Sequence, residues 1–462
     1  MKKLIGLLLI VLTTFSFAGE KKVNLVLEKQ RDMNILMITT HDLGQHLGCY
    51  GIETVNTPNI NRLADKGIMF RNFYSTSAVC SPGRASLHTA RYPQSNGLMG
   101  LIHSPWWWSF NENEKHTAQL LKNVGYRTIL VGFNHVGKPT KLGYNQHLSV
   151  KNKAEDTVYE VCEFLKKESE TNEPFFLKAG FTEVHRPFDY GSDSTKGIFV
   201  PEYLANTKIM RDDLAQFQAE IKYFDSCVGR ILKALDDSKI AENTLVIFTA
   251  DHGIPYPGSK WAARKAGLEV PFIIYKKGEK AFSGGHVYDE VMSNVDVLPT
   301  LFDYLGIAKP KNFEGVSFWD FLNKKVNKAP RTEAFGQYTS DMKRDNESRT
   351  VITEKYQLIY YFNAGRSVKY PANVNPVEFA RHRERCSTTG TRPFIQLYDI
   401  QKDPYELHNL SKNESYKEII ETLTNKLYNW MHEVNDPILK GPIASPYYTK
   451  AMQNLNEMIK NY

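Results

Sequence analysis

The 462-residue sequence predicts an α/β protein, in which a large, mostly parallel central sheet with helices on both faces precedes a smaller α+β region built on an antiparallel sheet. Three observations predict it. Short apolar runs alternate with amphipathic segments from about residue 30 to about 325. Beyond that point strand patterns follow one another. Several early strands end in histidine or aspartate, where open α/β sheets place their ligands.

The first strand, 34–38, is an apolar run that reads as a buried central strand and ends in Thr39-Thr40-His41-Asp42. A helix follows at 58–66, with Pro58 suited to its first position and Thr57 placed to cap it. Residues 69–74 read as another strand. Next, in Cys80-Ser81-Pro82-Gly83-Arg84, a cysteine enters a proline-started helix. The free N–H groups of a first turn and the positive end of the helix dipole suit an anion, and Arg84 adds a cation. Further helices are expected at 114–124, 155–167, 212–235 and 295–305. Strand 128–131 leads to His135, and strand 174–179 to His185-Arg186. Strand 244–249 ends in Asp251-His252-Gly253, and 270–275 is a further strand. The second region holds strands at 334–337, 348–353, 357–362 and 396–399, then a last helix over 416–434.

The formal net charge of +7 is spread along the chain, so it does not point to nucleic acid as a partner and does suit a polyanionic substrate. Met1-Lys2-Lys3, the apolar stretch 4–17 and Ala18 read as a signal peptide over 1–18, too short to span a bilayer. A periplasmic or secreted protein with no stable membrane insertion is therefore expected. The expected layout is a catalytic domain at 30–325 and a C-terminal subdomain at 330–462. Five cysteines are too few for a disulfide scaffold and odd in number, with Cys80 the candidate left unpaired.

Carboxyl ends of parallel strands share one edge, so His41-Asp42, His135, His185 and Asp251-His252 are expected to meet. Asp42, Asp251 and His252 offer oxygen and nitrogen ligands for a divalent cation. His135 and His185 suit acid and base roles, and Lys260 and Arg84 supply positive charge for an anionic substrate. Transfer of a sulfuryl or phosphoryl group needs this arrangement.

With these residues assembled, the chain resembles the type I, formylglycine-dependent sulfatases, nearest to their sulfamidase-like (heparan N-sulfatase-like) members. The resemblance rests on Cys80-Ser81-Pro82-Gly83-Arg84-Ala85-Ser86-Leu87, His135-Val136-Gly137, His185-Arg186 and Asp251 with Gly253-Ile254-Pro255. Leu397-Tyr398-Asp399, Asp403-Pro404-Tyr405-Glu406 and Asn409-Leu410 resemble the family's C-terminal signature. The resemblance implies an alkaline-phosphatase-like sandwich. It implies that a formylglycine-generating maturase oxidises Cys80 to formylglycine (3-oxoalanine), whose gem-diol attacks sulfur while Arg84 holds it. It also implies one Ca²⁺ held by Asp42, Asp251 and His252 with residue 80. His135 would be the base that regenerates the aldehyde. His185 and Lys260 would bind sulfate and assist the leaving group. Three positions depart from the pattern. His41 stands for an aspartate, which puts the metal's identity in question. Phe133 stands for a lysine, with Lys138 or Arg186 as candidate replacements. Gly83 stands for a serine.

On the substrate side, Trp106-Trp107-Trp108 suit either a sugar-stacking platform, with Trp107 as its candidate contact, or plain packing. The basic run Arg381, His382, Arg383 and Arg385 suits a solvated loop or a contact, through Arg383, to a neighbouring sulfate or uronate. The expected function is hydrolysis of sulfate from a sulfated polysaccharide or its oligosaccharides, algal (ulvan) or glycosaminoglycan. The alternatives are a sulfamidase acting on N-sulfoglucosamine, a phosphodiesterase or phosphonate hydrolase of the same fold, and a polyanion-binding protein without catalysis.

Overall fold

The computed structural model describes residues 33–149, 153–168, 173–339, 347–363, 366–368 and 388–460. The signal-peptide segment 1–18, the basic run 381–385 with Arg383, and Cys386 lie outside the described residues.

In chain order, the first strands are β1 (Asn34–Thr40), β2 (Ile68–Phe70), β3 (Phe73–Tyr74), β4 (Arg127–Gly132), β5 (Gln146–Leu148) and β6 (Phe175–Gly180). They are followed by β7 (Thr244–Ala250), β8 (Phe272–Lys276), β9 (His286–Tyr288) and β10 (Met292–Ser293). Eight of these form one sheet in the order β5-β4-β6-β1-β7-β8-β2-β9. β1 is buried at every position, because both its faces are covered and its run Asn-Ile-Leu-Met-Ile carries no charge. β1 pairs in parallel with β6 on one side and β7 on the other, and β6 pairs in parallel with β4. These four neighbouring strands end on one edge.

The principal helices are α1 (Pro58–Lys66), α2 (Cys80–Thr89), α3 (Thr117–Lys122), α4 (Ala154–Glu168), α5 (Lys208–Asp236), α6 (Val297–Tyr304), α7 (Lys417–Glu433) and α8 (Pro446–Lys460). The second region is a four-stranded antiparallel sheet of β11 (Glu333–Tyr338), β12 (Ser348–Thr353), β13 (Tyr356–Tyr361) and β16 (Ile395–Asp399). β14 (Arg366–Val368) and β15 (Thr388–Thr391) pair as a separate antiparallel ribbon. The small sheet packs on α7 through Val351, Leu358, Leu397, Leu427 and Trp430. It is joined to the large region by a parallel bridge between Ser77 and Gln337 and by the pair Arg264–Glu406.

Several local expectations are corrected. The stretch 69–74 is not one strand: β2 joins the large sheet, whereas β3 pairs with β10. Between them Asn72 turns away, its Nδ2 donating to the Asp289 carbonyl. The strand expected at 270–275 starts at Phe272 and runs antiparallel to β7. Pro271, which has no N–H to give a ladder, precedes it. The helix expected at 114–124 is shortened to α3, because the His116 side chain caps it by accepting from Ala118 N–H. Thr57 does not cap α1 with its side chain. Its hydroxyl instead donates to Asn61 and accepts from Gly48 N–H. α8 was not expected at all.

Candidate active site at the carboxyl edge of the sheet

The ends of β1, β4, β6 and β7 bring His41, Asp42, His135, His185, Asp251 and His252 together, as the strand order requires. Asp42 and His135 sit just past their strands with φ of 53° and 64°. Left-handed backbone at non-glycine residues is costly and collects at functional sites. Cys80 enters from below on α2, whose first residue it is.

His41, Asp42, Cys80, Asp251 and His252 are all buried, and one ligand atom from each lies within 4.8 Å of every other. The Cys80 Sγ is 3.2 Å from His252 Nε2. His252 Nδ1 donates to the Gly253 carbonyl at 2.9 Å, which aims Nε2 at Cys80 and at Asp42 Oδ1, 3.1 Å away. His41 Nδ1 is 2.5 Å from Asp42 Oδ1 and 3.3 Å from Asp251 Oδ2. Lys260 Nζ donates to both Asp42 oxygens, at 2.6 and 2.9 Å. Arg84 lies on the same helix as Cys80, one turn on. Its Nε donates to Asp251 Oδ2 at 3.0 Å and a terminal nitrogen to the Thr40 carbonyl at 2.9 Å. Arg84 therefore braces Asp251 from beneath. The other terminal nitrogen of Arg84 has no partner among the described residues.

The electrostatics show a centre short of positive charge. Burial works to discharge His41 and His252, yet Asp251, Cys80 and Asp42 raise them to about 9 and about 10. Burial opposes ionisation of Asp42, but Lys260 first and the histidines next hold it well below its ordinary range. Burial likewise opposes a Cys80 thiolate, which His41, Lys260, His252 and the bond to His135 outweigh. Two carboxylates with imidazoles and a sulfur hold protons tightly in the absence of another cation. A divalent ion would meet the same demand and release those protons. The donor set thus fits one divalent cation. It offers fewer oxygens than calcium usually takes, and its imidazoles suit softer ions.

Sharing His41 with this centre is a cleft of about 420 Å³ lined by His41, His103, Phe133, His135, His185 and Arg186 and by Glu183, Asp189, Tyr190 and Glu220. His185 Nδ1 donates to the Arg186 carbonyl at 2.6 Å, leaving Nε2 open, 3.9 Å from Asp42 Oδ2. Burial, then Lys260, lowers His185 to about 4. Burial also lowers His135, whose Nδ1 has no partner. Burial raises Glu220 to about 7.

Other expected residues are placed as follows. Arg186 lines the cleft, but Asp213 grips both its terminal nitrogens, one at 2.8 Å, and Phe188 and Tyr256 stack on it. Lys138 is exposed, at the start of a short helical turn. Phe133 occupies the departed lysine's place. Its ring lies 5.2 Å from the Arg84 guanidinium and 5.1 Å from the His135 ring. Gly83 has no room for the serine that the pattern would put there: a Cβ would lie 2.7 Å from the Asp251 carbonyl oxygen. The three tryptophans divide. Trp108 is buried, Trp106 packs beside Leu101 and Trp261 near Cys80, and Trp107 is 55% exposed.

His103 was missed as a site residue. Its ring stacks on His135 at 5.3 Å and 6° from parallel, and its Nδ1 donates to the Ser104 carbonyl at 2.9 Å. No strand end announces it, because it arrives on the tryptophan loop. Lys178, in the middle of β6, was missed too. It is fully buried, its Nζ has no partner, and burial first and Arg84 next push it well below its ordinary range.

Comparison with known proteins agrees with this geometry. A profile described as Sulfatase matches residues 33–307, and one described as the C-terminal part of N-sulphoglucosamine sulphohydrolase matches residues 261–384. An ulvan-active sulfatase of Formosa agariphila is 28% identical over 414 residues, covering 87% of this chain and 80% of the other. Human N-sulphoglucosamine sulphohydrolase is 26% identical over 476 residues, covering 90% and 93%. A solved structure described as a complex with its substrate D-glucosamine-2-N,6-O-disulfate superposes with a TM-score of 0.67. It is 18% identical and covers 89% of this chain and 99% of that one. A putative sulfatase from Bacteroides thetaiotaomicron gives 0.68 at 21% identity, covering 90% and 96%. Those two likenesses carry the fold, which is alkaline-phosphatase-like, and the sequence matches carry the family: the chain belongs to the type I sulfatases, near their sulfamidase-like members, and is a sulfuric ester hydrolase.

Proposed function

We propose that the chain is an exported sulfatase that removes sulfate from a sulfated polysaccharide or its oligosaccharides. Residue 80, oxidised by a maturase to formylglycine, would be its nucleophile. The observation that carries this reading is the convergence of Cys80, Asp42, Asp251 and His252 within 4.8 Å, in a cluster whose fifth member, His41, also lines the cleft. Supporting the substrate class are relatives named for activity on ulvan and for N-sulphoglucosamine, together with a cleft wall of hydrogen-bonding groups suited to sugar hydroxyls.

Asp42, Asp251 and His252, with His41 beside them, would hold one divalent cation, Ca²⁺ by family resemblance, which would supply positive charge for the sulfuryl oxygens. The hydrated aldehyde would supply the attacking hydroxyl. His135 touches the position-80 side chain and is kept neutral by burial, so it can accept a proton there. Lys260, which donates to both Asp42 oxygens, stays charged through that carboxylate. His185, lowered to about 4, is neutral at pH 7, so its open Nε2 orients the substrate by accepting hydrogen bonds. Protonating the leaving oxygen then falls to Lys260. Arg84 positions Asp251, and its unpartnered terminal nitrogen would be available to hold the diol, as the family resemblance implies.

The test is sulfate release from N-sulfated glucosamine oligomers, O-sulfated glycosaminoglycan disaccharides, and ulvan and carrageenan fragments, using protein co-expressed with a maturase. Release from one member, abolished in Cys80→Ala, supports the reading and names the substrate. No release, with the aldehyde at position 80 verified by peptide mass, overturns it in favour of a phosphoester substrate or of polyanion binding.

A further inference from the structure

α8 is turned the wrong way round. Thr449, Lys450, Gln453 and Glu457 line a groove of about 450 Å³ against Gly97, Trp108 and Ser109. The opposite face carries Tyr448, Met452, Leu455 and Ile459, flanked by Ala451 and Met458, and looks into solvent. Every residue from Tyr447 to Ile459 is exposed. A surface helix normally shows its apolar stripe to the core and its polar face to water. A helix of 15 residues whose side chains from Tyr447 to Ile459 are all exposed is also marginal on its own in water. The apolar face calls for a cover.

We propose that a second copy of this chain covers it, through antiparallel pairing of the two α8 helices about a twofold axis. The spacing of Tyr448, Met452, Leu455 and Ile459 alternates four, three and four residues, the seam of a two-helix pair. That seam reads the same in both directions. An axis passing between residues 453 and 454 sets Tyr448 against Ile459 of the second copy and Met452 against its Leu455. A twofold contact requires such self-complementarity. Ala451 beside the seam lets the backbones approach. Five large side chains on this face, Tyr448, Met452, Leu455, Met458 and Ile459, are between 38% and 63% exposed. At about 100 Å² each they give roughly 500 Å² per copy, about 1,000 Å² in all, which is about the minimum for a specific pair. A membrane fits less well, because helices that lie on bilayers are rich in Lys and Arg on the polar face. Here that face is Thr449, Gln453, Asn454 and Asn456, with Lys450 offset by Glu457. The same groove touches Trp108 of the loop that carries His103, so pairing would brace the mouth of the cleft from outside.

The test is sedimentation velocity on the full chain at micromolar concentration, with liposome flotation alongside. Wild type is expected to sediment at twice the chain mass and not to float. M452E/L455E is expected to sediment as a monomer, with its circular dichroism unchanged. M452C/L455C is expected to form disulfide-linked dimers that wild type, with its native cysteines, does not. A monomeric wild type, a dimer indifferent to M452E/L455E, or flotation with vesicles would each overturn the proposal.

Discussion

Every residue of α2 is buried, although Ser81, Arg84, Ser86, His88 and Thr89 are polar. Every residue of α8 from Tyr447 to Ile459 is exposed, although Tyr448, Met452, Leu455 and Ile459 are apolar. The two helices differ in partners rather than in hydrophobicity. α2 is held by specific polar bonds from outside it: Arg84 to Asp251 and the Thr40 carbonyl, Thr117 to the His88 carbonyl, and Asn294 to the Gly83 carbonyl. α8 has a cap, in which Ser445 Oγ accepts from Tyr448 N–H, and little else within its own chain. Buried polar groups are tolerated when they find partners; α2 meets that demand in part through such bonds and leaves Ser86 Oγ, His88 Nε2 and one terminal nitrogen of Arg84 without a partner among the described residues.

The contrast can be broken first at the buried helix. Cys80→Ala is expected to leave the fold intact and to lower sulfate release by at least about 10³-fold. Retained release would show that position 80 is not the nucleophile. Arg84→Met leaves Asp251 with less compensating charge, so a loss of about 3–5 kcal/mol in urea unfolding is expected, with loss of activity. A stability change below 1 kcal/mol, on the order of an ordinary surface substitution, would mean that Arg84 does not brace the centre. Chelation is expected to abolish activity, and re-addition of Ca²⁺, Mg²⁺, Mn²⁺ and Zn²⁺ in turn identifies the ion. His41→Asp adds a carboxylate to the cluster and is expected to shift relative affinity towards Ca²⁺ by about tenfold. An unchanged preference would place His41 outside the ligand set.

Smaller effects sharpen the comparison. Lys178 differs from Arg84 within the buried region: its Nζ, the one polar atom of its side chain, has no partner among the described residues. Lys178→Met is expected to raise stability by about 1–3 kcal/mol in thermal unfolding, because it removes an unsatisfied group. A lower melting temperature would show that Lys178 has a partner that the protein needs. Deletion of residues 446–460, measured where the chain is monomeric, is expected to change stability by no more than about 0.5 kcal/mol, since no side chain of Tyr447–Ile459 is buried. A larger loss would mean that α8 stabilises its own chain.

The buried half of this comparison was legible in the sequence. Apolar runs ending in His41-Asp42, Asp251-His252 and, a few residues on, His135 and His185 fix where the centre lies, because parallel neighbours share an edge. Strand order is a tertiary property, so the reversal of β8 could not be read from its apolar pattern. Nor could the side on which Arg84 bonds. A helix position says which way a residue starts, and the guanidinium then crosses to Asp251 through a partner far along the chain. His103 was invisible for the same reason, since it meets His135 across 32 positions of chain with no periodicity to mark it. α8, by contrast, was legible and overlooked: Tyr448, Met452, Leu455 and Ile459 carry the apolar spacing of a helix in the sequence itself.

The complete burial of α2 also sets an order of events. Cys80 is 3% exposed, and Ser81, Pro82, Gly83 and Arg84 are buried with it. A maturing enzyme that reads these side chains cannot grip them once the helix has docked under β1 and β7. If Cys80 is oxidised, as proposed, the chemistry has to finish while the chain is still an open strand, before folding closes over it. Purified protein that folded with the thiol intact should then stay a thiol, and the fraction of active molecules becomes a record of how synthesis, oxidation and folding were timed against one another.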